Sequence, residues 1–167
     1  MASGVTVDDK VIHLYNDMKQ GKFTETADGK KIRKKAVLLR IDGEKVVVDP
    51  NKEILSVDGD EEHEDPLKRL VDLLPEKGCR YAFYDAAYET EDTKKCKAII
   101  FIMWAPDSCE VKEKMLYASS KEGVKKKFEG IRQVWQVNGK EDLDCSSVAD
   151  KLRGHGSCLK TLEGRKL

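Results

Sequence analysis

Ala98-Ile99-Ile100-Phe101-Ile102-Met103-Trp104 is followed by Ala105-Pro106-Asp107-Ser108 and then by a lysine-rich segment over residues 110–128. The first part is a continuous apolar run rich in β-branched and aromatic side chains, which reads as a buried strand. Proline and two short polar residues break it. The third part, Glu-Val-Lys-Glu-Lys-Met-Leu-Tyr-Ala-Ser-Ser-Lys-Glu-Gly-Val-Lys-Lys-Lys-Phe, has helical spacing. At about 100° per residue, Leu116, Tyr117, Ser120, Val124 and Phe128 form a core stripe. Lys112, Met115, Ser119, Glu122 and Lys126 form a second stripe, turned well away. A helix on a core needs only one apolar stripe. A methionine ringed by lysines and small polar residues suits an adaptable docking surface. Gly123, inside the helix, should cost about 1 kcal/mol relative to alanine.

Outward from this stretch the chain alternates helices and strands. Residues 7–18 have helical spacing, with Val11, Leu14, Tyr15 and Met18 on one side. Residues 20–35 are polar and read as a loop. Residues 36–41 read as a buried strand, joined by the Asp42-Gly43 turn to a second strand over 45–49. Asp65-Pro66 looks like an N-cap followed by a first-turn proline, opening a short helix that ends before Pro75. Residues 80–88 are a strand, joined to residues 98–104 by a charged hairpin loop over 89–97. Beyond the long helix come a strand over 131–137, a turn at Asn138-Gly139, a helix over 142–152 and a short strand near 158–162. This order predicts an α/β (α+β) domain, a mixed sheet with helices on both faces.

At 167 residues, with 40% hydrophobic and 37% charged residues, the chain reads as one soluble domain with a sizeable core. Lysine plus arginine and aspartate plus glutamate both number 31, which argues against general nucleic-acid binding. The charge is nonetheless segregated: residues 30–35 and 125–127 are basic, and 58–65 acidic. Cys79, Cys96, Cys109, Cys145 and Cys158 form no Cys-x-x-Cys pair and are odd in number. With no signal peptide, they read as reduced thiols of an intracellular protein. No stretch is long and apolar enough to span a bilayer.

Catalytic readings fail on their own spacing. Asp58-Gly59-Asp60-Glu61-Glu62 has the look of a calcium loop, but His63 stands where the turn needs glycine and Pro66 interrupts the rest. His13, His63 and His155 are scattered, and no phosphate-cradling loop or nucleophile elbow is present. No thiol has an evidently activating context. The chain reads as a binding protein with no cofactor and no metal.

Several words in the sequence are specific. They are Phe101-Ile102-Met103-Trp104-Ala105-Pro106, Lys114-Met115-Leu116-Tyr117-Ala118-Ser119-Ser120-Lys121, Lys125-Lys126-Lys127-Phe128-Glu129-Gly130-Ile131, Leu74-Pro75-Glu76-Lys77-Gly78-Cys79-Arg80-Tyr81-Ala82-Phe83-Tyr84-Asp85-Ala86, and the opening Met1-Ala2-Ser3-Gly4-Val5. Together they resemble the ADF/cofilin family of actin-depolymerising proteins, in its animal cofilin/destrin branch, over essentially the whole chain. The resemblance implies the ADF-homology (cofilin-like) fold as a single domain over 1–167, with residues 1–5 as a mobile regulatory tail. It also implies a non-enzymatic, monomeric, cytoplasmic protein of the actin cytoskeleton that binds, severs and depolymerises filaments.

By matching positions, the long helix would enter the cleft between two actin subdomains through Lys112, Lys114, Met115 and Ser119, with Ser3 beside them. Ser3 matches a regulatory phosphorylation site, implying a kinase and a phosphatase as partners. Lys94, Lys95 and Lys97 match a filament-specific hairpin. Lys112, Lys114, Lys125, Lys126 and Lys127 suit phosphoinositide headgroups. Lys30, Lys31, Arg33, Lys34 and Lys35 resemble a nuclear-localisation segment, interrupted by Ile32. Gln133 stands where many relatives carry a pH-sensing histidine and cannot titrate. A monomer-sequestering protein of the same fold, or a phosphoinositide-binding peripheral protein, remains an alternative.

Overall fold

The computed structural model describes residues 4–21, 24–25, 27–29, 31–57, 66–90, 95–131, 133–152, 159–162 and 165–166. Along these, the elements are β1 (Thr6–Val7), α1 (Asp9–Gln20), β2 (Thr24–Glu25), β3 (Lys31–Asp42), β4 (Lys45–Val57), α2 (Pro66–Leu73), β5 (Arg80–Thr90), β6 (Lys95–Trp104), α3 (Val111–Lys125), β7 (Gln133–Val137), a 3₁₀ turn (Lys140–Leu143), α4 (Cys145–Leu152), β8 (Leu159–Leu162) and β9 (Arg165–Lys166).

The strands form one mixed sheet with the path β1-β4-β3-β5-β6-β7. The two pairs β1·β4 and β6·β7 are parallel, and the other pairings are antiparallel. One flank of β5 is shared: Tyr81 to Tyr84 pair with β3, and Tyr88 to Thr90 pair with β8. The long β5–β6 ladder pairs Arg80 with Trp104 at one end and Glu89 with Lys95 at the other.

Both faces of this sheet are covered, which is why its central strands read as unbroken apolar runs. Successive residues point to opposite sides. Ala82, Tyr84, Ile100, Ile102 and Trp104 join Leu67 and Leu70 of α2 and Val148 and Ala149 of α4. Tyr81, Phe83, Phe101 and Met103 join Val11 and Tyr15 of α1, Tyr117 and Val124 of α3, and Phe128. Six rings dominate the second layer. Phe83 meets Phe128 edge-on at 4.8 Å between centroids, and Tyr81 lies 5.0 Å from Tyr117 and 5.1 Å from Phe101. Tyr15 lies 5.3 Å from Phe83.

The expected architecture of a central mixed sheet between helices is observed, and several boundaries move. The first helix begins at Asp9, because Asp8 caps it by accepting from the Lys10 N–H, and Thr6 and Val7 instead pair in parallel with Lys45 and Val46. It ends at Gly21, which adopts φ 67°, the left-handed geometry that glycine takes without strain. Val5 is half-buried and packs beside the second layer.

The polar segment 20–35 is not a single loop: from Lys31 onward it is already strand β3. The second strand runs past residue 49 to Val57. Its register shifts between Val37 and Leu39, and Pro50, with no N–H to offer a ladder, falls in that irregularity. Strands β5 and β6 extend into the expected hairpin loop. The helix expected over 142–152 is a 3₁₀ turn and then α4, split at Asp144, whose carboxylate accepts from the Ser147 N–H at 2.7 Å. That bond holds the Asp144 carboxyl below its ordinary value. The short terminal strand is present as β8, and β9 pairs with it.

Candidate docking surface

Helix α3 is fastened to the sheet along its inner side. Tyr117 Oη accepts from the Ile41 N–H at 2.9 Å, and the Tyr81 hydroxyl donates to the Tyr117 carbonyl at 2.5 Å. Ser120 and Val124 are buried beneath it. Glu113, in its first turn, accepts from the Cys79 N–H at 2.8 Å. Just before the helix, Ser108 donates to the Glu76 carbonyl at 2.5 Å and the Trp104 indole to the Pro75 carbonyl at 2.7 Å. The loop 74–79 is therefore stitched to the start of α3. At the far end Phe128 turns back into the aromatic layer, while the Glu129 carbonyl accepts from the Tyr15 hydroxyl at 2.5 Å and from Lys19 at 3.1 Å. Burial pushes the Tyr15, Tyr81 and Tyr117 hydroxyls above their ordinary value.

The outer side of the same helix is left open. Met115 is 65% exposed and Val111 71%, the two largest exposures among the large apolar side chains described. At i and i+4 they sit one above the other on one face. Lys112, Ser119, Glu122 and Lys126 are exposed around them, and the Ser119 hydroxyl turns back to the Leu116 carbonyl at 3.2 Å. Lys114 is half-buried, its ammonium 3.8 Å from an Asp107 carboxylate oxygen. Lys127 is exposed, Lys125 half-buried. The structure thus brings together Lys112, Lys114, Met115 and Ser119 on α3 and sets Lys125, Lys126 and Lys127 at its C-terminal end. It adds Val111, which the sequence reading missed although its spacing from Met115 was visible. Leu116, expected in the core, is only half-buried.

The other candidate residues lie elsewhere. Lys95 and Lys97 are on β6, opposite Glu89 and Ala87 of β5. Ser3, Lys94 and Lys30 lie outside the described residues, as do His63, His155 and the acidic segment 58–65. Lys31 is exposed. The rest of that basic segment is engaged in the fold. Arg33 lies 3.7 Å from the buried Asp85 carboxylate, Lys34 pairs with Glu53, and Lys35 is buried with its ammonium 5.6 Å from the centre of the Tyr84 ring. Gln133 is fixed too, its side-chain carbonyl accepting from the Trp135 indole N–H at 2.7 Å.

Among the described residues, no group of three or more His, Cys, Asp or Glu side chains could hold a metal ion, and no helix is long and apolar enough to cross a membrane. A cleft of about 420 Å³ lies between the end of α1 and the sheet, lined by Lys19, Arg33, Asp85 and Ala98 among others and by no residue of α3. The open apolar pair on a rigid helix is a geometry for gripping a macromolecular partner.

Residues 4–153 match the family model described as cofilin/tropomyosin-type actin-binding protein. The crystal structure of a Streptomyces griseoflavus cofilin superposes with a TM-score of 0.68 at 30% identity, covering 89% of this chain and 96% of that one. Plasmodium berghei actin depolymerization factor 2 gives 0.69 at 28% identity, with 92% and 96% covered. Human coactosin-like protein shares the fold at 10% identity, with a TM-score of 0.65 and 93% of each chain covered.

Proposed function

This chain belongs to the cofilin/tropomyosin-type family of actin-binding proteins, and from that premise we propose that it binds both monomeric and filamentous actin and severs and depolymerises filaments as a single domain. The observation that carries the reading is the Val111–Met115 pair, exposed on a helix whose opposite side is fixed to the sheet. Met115 has the flexibility to fill an irregular apolar cleft. Lys112 and Lys114 flank it with the charge that steers toward an acidic surface. Pre-fastening of the helix lowers the ordering cost of docking.

Severing requires a second contact, with the neighbouring protomer, for which Lys94, Lys95 and Lys97 on the β5–β6 hairpin are the candidates. Binding energy that differs between two filament twists selects one of them, and the strained boundary with bare filament breaks. No bond is made or broken by this chain in that scheme. Ser3 is the proposed regulatory position, by its match to a phosphorylation site of the family's animal cofilin/destrin branch. Phosphate there adds about −1.5 to −2 charges and opposes docking on an acidic partner. Phosphoinositide headgroups compete for the same face through Lys112, Lys114, Lys125, Lys126 and Lys127. A nuclear-localisation role for Lys30, Lys31, Arg33, Lys34 and Lys35 would require Arg33, Lys34 and Lys35 to leave their partners in the fold.

The test is microscopy of labelled actin filaments. The wild-type protein should raise the frequency of breaks, Ser3→Asp should abolish the rise, and reversing Lys94 and Lys95 to Glu should remove severing while leaving monomer binding. Monomer binding without breaks by the wild type would instead support a monomer-sequestering protein.

A further inference from the structure

The sulfur atoms of Cys79 and Cys109 lie 3.0 Å apart, both side chains are buried, and both are free thiols. Nothing in their spacing suggests a pair, since 30 positions separate them. The fold joins them: Cys79 ends the loop that leads into β5, and Cys109 stands directly before the N-cap of α3, Glu110. We propose that Cys79 and Cys109 form a reversible dithiol–disulfide site that braces the first turn of α3 when oxidised. Closing the pair to a bond of about 2.05 Å requires a sulfur movement of only about 1 Å. Around it the loop 74–79 and the start of α3 are already tied by Ser108 to Glu76 and by Cys79 to Glu113, so the movement is local.

The oxidant class is a peroxide. Cys109, 7% exposed against 0% for Cys79, reacts first. Its thiolate attacks one peroxide oxygen, the O–O bond breaks, and a sulfenic acid and hydroxide form. The hydroxide takes the proton lost by the thiol. The Cys79 sulfur then attacks the Cys109 sulfur, the S–S bond forms, the S–O bond breaks, and water leaves with the Cys79 proton. Two thiols and one peroxide give one disulfide and two waters. Burial pushes the Cys79 thiol up, and its contact with Cys109 adds to that, so Cys79 thiolate is scarce and the second step, its attack on the Cys109 sulfur, is slow at neutral pH.

The inference rests on no partner and stands or falls apart from actin binding. The full-length protein is treated with hydrogen peroxide, then alkylated and digested. The expected product is a Cys79–Cys109 linked peptide, lighter by two hydrogens and released by dithiothreitol. Oxidation should slow amide exchange across residues 111–115 and raise Tm by about 7–15 °C, the size expected when a loop of this length is closed. Cys109→Ser should abolish both changes. If that variant fails to fold, the exchange comparison on wild-type protein decides alone. Linkage of either thiol to Cys96, Cys145 or Cys158, persistence of both thiols, or a linked form with unchanged exchange over 111–115 would overturn the proposal.

Discussion

Met115 and Val111 are the large apolar side chains left most in water on a helix that has already satisfied its core face. Central apolar anchors dominate the energy of interfaces. Met115→Ala is expected to weaken binding to actin monomer about 30-fold, equivalent to about 2 kcal/mol, with an unchanged melting curve. A fluorescence titration on labelled monomer measures it. Lys112→Glu should act mainly on the association rate, and its effect should shrink at high salt.

The buried tyrosines make a separate prediction. Tyr15, Tyr81 and Tyr117 have hydroxyls held above the ordinary value of 10.0, chiefly by burial. Stability from keeping them neutral is complete below pH 10.0 and is lost as pH rises through their folded-state values. In an alkaline titration followed by tyrosinate absorbance and circular dichroism, these three should ionise only as the helix signal collapses. Ionisation of all five tyrosines before any loss of structure would contradict the packing. At this scale Met115 was legible in the sequence because it broke a lysine-rich stripe. Val111 was missed because one valine near a helix start looks like ordinary core.

Among the elements, α3 works because both its ends and its middle are anchored. Tyr117 is the central fastener: its hydroxyl serves the Ile41 N–H at the end of β3, and its carbonyl takes the Tyr81 hydroxyl. Tyr117→Phe keeps the ring and leaves that N–H without its partner, so a loss of about 1–3 kcal/mol in urea unfolding is expected. Cost near zero would mean that the hydroxyl does not hold the helix.

The strands show where a single sequence stops being readable. Residues 98–104 were plain, since a strand buried on both faces has only apolar residues to show. Residues 31–35 were not, because three of their cations find partners inside the structure: Lys34 on Glu53, Arg33 beside Asp85, Lys35 over Tyr84. Those partners stand 19 to 52 positions away, beyond any local pattern. The thiol pair was hidden for the same reason.

As a whole molecule the protein has zero formal net charge, and with the proposed partner face on one helix its regulation should be local. Gln133 has no titrating group and is tied to Trp135. Filament binding is therefore expected to vary by less than about twofold between pH 6 and 8 through this position, and Gln133→His should introduce a dependence; co-sedimentation across that range checks both. The overall architecture was legible because the order of elements and the two-sided burial agree at every level. The proposed filament contact at Lys94, Lys95 and Lys97 comes from likeness alone, since no periodicity marks it.

The outer face of α3 is the proposed actin-docking surface. Its most direct test is the affinity for actin monomer of the wild-type protein and of Met115→Asp, with circular dichroism confirming that both are folded. Saturable wild-type binding and a loss of at least about 30-fold for the variant are expected. Equal affinities in two equally folded proteins would contradict it and would move the docking surface off α3.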